Sequence, residues 1–199
     1  MTGSTKNNPG EGQRETDKYL ILDLSGAAGR KCTGEERVFT TARCLERAAE
    51  GGMRIVVILF DNNSSTRRNN LVEFVSILKR NIKTAGLTVV AVLPSPHRVM
   101  IEALQRMGTD FVLILPNSAT NSFCIGASLN KLSPQDRPES HLKEICPNLN
   151  YNAIDSQREI MLCGAYRNRM VLGGSRLHKT CETTAHLGCE YYLNPRPSA

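Results

Sequence analysis

Four apolar runs constrain the fold more than any other feature: Tyr19 to Leu24, Ile55 to Phe60, Leu87 to Leu93 and Phe111 to Leu115. Each is too short for a buried helix and is apolar at successive positions, as expected of strands covered by helices on both faces. The stretches between them carry apolar residues at helical spacing. Alternation of this kind predicts a βαβ architecture with a mostly parallel, four-stranded sheet over residues 18–117.

Local signals place the helices. Thr33-Gly-Glu-Glu36 reads as a capping box opening a first helix that repeats from Val38 to Ala49 and stops at Gly51-Gly52. A second helix is expected from near Asn70, with Leu71, Phe74, Val75, Leu78 and Ile82 on its core face and Gly86 as its stop. The third takes Ser95 as cap and Pro96 as first residue, buries Met100, Ala103, Leu104 and Met107, and closes at Gly108. Residues 1–17 are expected to be a polar flexible leader, and 118–140, rich in Asn, Ser, Pro and Gly, read as a linker.

The tail, residues 141–199, has a different character. Cys146, Cys163, Cys181 and Cys189 stand among few apolar anchors, with 16, 17 and 7 residues between successive thiols. Four thiols on a segment poor in core residues predict a bound inorganic centre, either zinc or a [4Fe–4S] cluster. The lack of a Cys-x-x-Cys knuckle argues against a zinc finger and against a redox dithiol. His186, three residues before Cys189, is the reserve ligand, whereas His178 and His141 read as surface histidines. Outside this set, Cys44 reads as a packing residue, Cys32 is unassigned and Cys124 is a spare ligand.

Catalytic patterns are weak. The loop after the first run, Asp23-Leu-Ser-Gly26-Ala-Ala-Gly29-Arg-Lys31-Cys-Thr33, departs from a P-loop because Gly-Lys-Ser/Thr is not contiguous. Arg30 and Lys31 are left as a looser anion-binding pair. After the second run, Asp61-Asn-Asn-Ser64-Ser65-Thr66 supplies hydroxyls at a helix start, a place where phosphorylation or partner binding acts. Asp23 and Asp61 lack the third acidic position of a receiver domain, and His97 reads as exposed. No catalytic residue is assigned, and a non-enzymatic role is expected.

Taken together, Tyr19-Leu-Ile-Leu-Asp-Leu-Ser-Gly26, Arg54-Ile-Val-Val-Ile-Leu-Phe-Asp61, Leu71-Val-Glu-Phe-Val-Ser-Ile-Leu-Lys-Arg80 and Ala85-Gly-Leu-Thr-Val-Val-Ala-Val-Leu93 resemble the STAS domain of sulfate transporters and anti-sigma-factor antagonists. The resemblance covers about half of the chain. It implies a regulatory module that docks to a protein partner through the second helix and the loop before it. The family's phosphorylated Asp-Ser-Ser-Gly turn is not reproduced, and only Ser64 and Ser65 occupy a comparable loop.

The net charge of +6 raises nucleic acid as an alternative partner, although the basic residues are dispersed rather than gathered in a stripe. No run of about eighteen apolar residues is present. The expectation is therefore a cytoplasmic protein without membrane association, binding a protein partner or a second copy of itself. An iron–sulfur subunit of a redox complex is the alternative from another class.

Overall fold

A computed structural model describes residues 18–26, 34–60, 64–116, 122–156 and 158–196, with the side chains of 122–124 excepted. Five parallel strands form the main sheet: β1 Tyr19–Leu22, β2 Glu35–Val38, β3 Ile55–Leu59, β4 Thr88–Leu93 and β5 Phe111–Ile114. Their spatial order is β2-β1-β3-β4-β5. The chain steps from β1 to one side and then crosses back over it to the other, so the order reverses at β1.

β2 is the strand that the sequence did not announce. Glu35, Glu36 and Arg37 read as a helix start, yet they pair with Tyr19, Leu20 and Ile21 on the edge of the sheet. Charge is tolerated there because it is partnered. Arg37 bonds Asp23 at 2.9 Å and Glu35 at 3.3 Å, and Arg47 bonds Glu36 at 2.5 Å. Charged residues on an edge strand also discourage pairing with another chain.

The helices differ from expectation mainly at their ends. α1, Thr41–Ala49, starts behind Thr40, whose hydroxyl accepts from the Arg43 N–H, and ends before Gly51 and Gly52, both at positive φ. α2, Ser65–Arg80, begins a turn earlier than its apolar repeat, because its first turn is polar and capped by Ser64. It also stops before Ile82, which is 95% exposed instead of lying on the core face. α3, Arg98–Met107, is capped by His97 rather than Ser95, and Gly108 closes it at φ +90.

Alternation along the strands divides the core. Leu20, Leu22, Val56, Ile58, Val89 and Ala91 face α1, α2 and α3, whereas Tyr19, Ile21, Val57, Val90 and Val92 face α4, Ser122–Leu129, through Ile125 and Leu129. Residues 118–140, expected as a linker, thus carry α4 and a 3-10 turn, Pro134–Asp136. α5, Pro138–Glu144, then packs against α3.

The C-terminal part holds an antiparallel sheet of β6 Leu149–Ala153, β7 Glu159–Cys163 and β8 Val171–Leu172. Beyond it come a helical turn α6, Gly174–Arg176, a π-turn at Leu177–Cys181, a 3-10 segment at Thr184–Gly188 and α7, Glu190–Leu193. Ile145, Cys146, Leu149, Cys163, Leu172 and Leu177 belong to the same buried cluster as the face of the main sheet that carries α1 to α3. No helix among the described residues is long and apolar enough to cross a membrane.

Candidate functional sites

The four tail cysteines come from four separate local structures, and backbone hydrogen bonds link three of them. Cys146 follows α5, and its N–H donates to the Cys181 carbonyl at 2.8 Å. The Leu149 N–H then donates to the Cys146 carbonyl at 3.2 Å, and Leu149 stands opposite Cys163 in the β6–β7 ladder. Cys163 opens a tight turn: its carbonyl accepts from the Tyr166 and Asn168 N–H groups, each at 3.1 Å, while Arg167 and Asn168 adopt left-handed φ values of 54 and 55. Cys189 precedes α7 and donates to the His186 carbonyl at 2.9 Å.

Gly164, next to Cys163, has a steric reason. A Cβ there would lie 2.7 Å from the Asn150 amide nitrogen and 3.0 Å from the Asn148 carbonyl, so a side chain would push Cys163 away from the Cys146 turn.

Cys146, Cys163 and Cys181 are buried and Cys189 is partly exposed. Burial raises the Cys146 thiol, as do the neighbouring Cys163 and Cys189. Cys181 is pushed up to about 11, first by burial and then by Cys146, Cys163 and Cys189. Cys146 and Cys181 thus feel the other cysteines electrostatically, and both are held in the protonated form at neutral pH. Among the described residues, no three His, Cys, Asp or Glu side chains already form a metal cage.

His186 is 3% exposed, and its Nδ1 donates to the Thr183 carbonyl at 2.7 Å. Its ring meets Tyr192 edge-on with centroids 5.1 Å apart. That bond fixes a tautomer with the lone pair on Nε2. His178 is exposed, as expected, and bonds Glu182 at 2.7 Å. His141 is not a surface residue: it is half-buried and bonds the Val112 carbonyl at 2.8 Å, tying α5 to β5. Cys44 is fully buried, and burial pushes its thiol up to about 12, consistent with a packing role. Arg30, Lys31, Cys32 and Asp61 lie outside the described residues, as does the side chain of Cys124.

A second constellation joins the two sheets, and the sequence reading missed it. Glu159, the first residue of β7, pairs with Arg68 on α2 and bonds His97 Nε2 at 3.0 Å. His97 is not exposed: its Nδ1 accepts from the Met100 N–H at 3.2 Å, and its ring stacks on Tyr151 at 3.8 Å. Tyr151 in turn accepts from the Arg98 N–H at 3.1 Å, and the Arg98 guanidinium reaches the Leu142 and Ile145 carbonyls at 3.0 and 2.8 Å. Burial holds His97 below its ordinary value of 6.5 despite the carboxylate beside it. Burial opposes the Glu159 charge, but Arg68 and His97 hold its carboxyl below the ordinary value of 4.5. With both His97 nitrogens engaged, the group positions elements and has no free base for catalysis.

Ser64 and Ser65 stand at the start of α2. Ser64 accepts from the Arg67 N–H at 3.4 Å, and the Ser65 N–H donates to the Ser156 carbonyl at 2.8 Å. The loop expected to dock a partner is thereby tied to the β6–β7 hairpin. No protein-family model matches the chain, and no curated protein matches it at a meaningful level.

Proposed function

We propose that this protein is a non-enzymatic, STAS-like docking module whose C-terminal part holds a metal centre on Cys146, Cys163, Cys181 and Cys189. The observation that carries the metal is that three buried cysteines from distant positions, Cys146, Cys163 and Cys181, are linked through backbone hydrogen bonds, with Cys189 near enough to act on Cys146 and Cys181. Buried thiols pack well without metal, but the thiols of Cys146 and Cys181 are both raised in part by the neighbouring cysteines, which puts the four near one another. A zinc ion or [4Fe–4S] cluster would draw the protons from these thiols and tie four short elements together. His186 fits a supporting role, since its Nδ1 bond orients the ring beside the Cys189 turn.

Anaerobic purification followed by iron, sulfide and zinc analysis tests this. The native chain should carry zinc, or iron with sulfide, and Cys181→Ser should lose it. Native protein free of all three would sink the proposal. Iron and sulfide with reversible bleaching on reduction would favour the redox-subunit reading instead.

Docking is assigned to the start of α2, where Ser64 and Ser65 lie at the surface end of the helix beside exposed Arg67 and Asn70. Nucleic acid is disfavoured because Arg37, Arg43, Arg47, Arg68, Arg98 and Arg158 are all ion-paired within the fold. Full-length bait cross-linked in its native lysate should recover a partner that Ser64→Ala with Ser65→Ala loses. A partner recovered equally by the double variant would overturn the assignment.

A further inference from the structure

The carboxyl ends of β1, β2 and β3 frame a cleft of about 480 Å³, within the size range of small-molecule sites. It lies where the strand order reverses at β1, and in open α/β sheets ligands collect in the crevice outside the strand ends at such a switch point. The cleft is not uniform. Leu24 and Phe39, the latter 48% exposed, supply an apolar wall. Thr40, Ser64, Thr66 and Arg67 line it as well, bringing hydroxyl groups and a guanidinium.

Charge decides what such a site accepts. Arg67 is exposed and makes no ion pair among the described residues. No carboxylate lines the cleft among those residues. The nearest acid on β1's end, Asp23, is 4% exposed and already neutralised: it accepts from the Ser25 N–H at 2.9 Å and from Arg37 at 2.9 Å. A cation with no ion pair among the described residues, hydroxyl-bearing side chains and an apolar aromatic residue therefore line one concave space.

We propose that this cleft binds a mononucleotide, its phosphate on Arg67, Ser64 and Thr66 and its planar base against Phe39 and Leu24. A guanidinium and hydroxyls suit phosphate oxygens, and an exposed aromatic face suits a base. The nucleotide is taken up as a ligand. The inference goes beyond the docking reading and stands whether or not a metal is found. It does share Ser64 with the docking surface, so bound nucleotide alters the face that a partner meets.

Calorimetry on the full-length protein tests it, with AMP, GMP, CMP, UMP and inorganic phosphate as the probes. At least one nucleotide should bind more tightly than phosphate. Arg67→Ala should weaken that nucleotide about tenfold or more, the loss expected of one charged hydrogen bond. Phe39→Ala should weaken the nucleotide but leave phosphate unchanged. Arg80→Ala, an exposed cation at the far end of α2, should have no effect. Absence of nucleotide binding would overturn the proposal, as would equal losses in Arg67→Ala and Arg80→Ala or indifference to Phe39→Ala. Arg67 and Phe39 are exposed enough that both variants keep the fold, which a melting curve checks.

Discussion

The α/β part and the cysteine-bearing part are ordered by different forces. In the first, Leu20 to Leu22, Val56 to Ile58 and Val89 to Ala91 are all fully buried, and the helices over them run 9, 16 and 10 residues. In the second, β6 buries only Leu149, β8 has two residues and α7 has four. Directional contacts compensate: Arg98 on the carbonyls after α5, His141 on β5, Tyr151 under His97, and Glu159 between His97 and Arg68. Undirected apolar burial suffices for a long parallel sheet, whereas short elements with little apolar area need fixed anchors.

The largest effect that could break this comparison is loss of the proposed centre. Chelation, or Cys181→Ser, should strip amide-exchange protection from residues 146–193 while β1, β3 and β4 stay protected. Simultaneous loss in both parts would show one cooperative unit. Loss in neither would leave the thiols as packing residues.

Next come the apolar anchors. Leu78→Ala, a fully buried site on α2, should cost about 3 kcal/mol and lower the unfolding midpoint of the whole chain. Leu177→Ala, on the π-turn beside Cys181, removes a side chain of equal size at 2% exposure. Its effect should be confined to the C-terminal part, which exchange measured segment by segment will resolve. Equal global destabilisation by the two would erase the distinction.

The Arg68–Glu159–His97 bridge sharpens the comparison where the two parts meet. Glu159→Gln removes the charge that faces Arg68 and should cost about 2 kcal/mol, since both side chains are about four-fifths buried. Acid should act on the same bridge. His97 is held below 6.5, so the unfolded chain takes up its proton first and stability falls as pH drops below that value. Glu159 is held below 4.5, so its contribution is complete above that value and is lost as pH falls further, through the folded-state pKa. Both slopes have the same sign. Acid unfolding of Glu159→Gln should be flatter below pH 4.5 than that of the native chain; superimposable curves would remove Glu159 from the linkage.

What was legible in the sequence follows the same division. β1, β3, β4 and β5 could be read because both faces are buried and the apolar runs are unbroken. β2 could not, because its Arg37, which also holds Glu35, is stabilised by Asp23, a partner 14 residues away. The cysteines were legible as residues, but the approach of Cys163 to the Cys146 turn follows from pairing across β6 and β7 that no local pattern encodes. The His97 bridge left no signal at all, since Arg68 and Glu159 are separated by 91 positions and each resembles a solvated surface charge. Local chemistry is written in local sequence, and anchors between distant segments are not.

The smallest effect separates what Ser64 does for α2 from what it does for the cleft. Its hydroxyl caps the helix, so Ser64→Ala should cost about 1 kcal/mol, seen as a small drop in the unfolding midpoint. Ser64→Asp keeps an oxygen acceptor for the Arg67 N–H and places negative charge at the helix start, which the dipole favours, so stability should be retained. The same carboxylate faces the cleft and Arg67, where it opposes a phosphate. Ser64→Asp should therefore be as stable as the native chain and bind nucleotide more weakly than Ser64→Ala does. If the two variants bind alike, Ser64 serves the helix alone, and the start of α2 belongs to the apolar scaffold rather than to the surface that recognises a ligand.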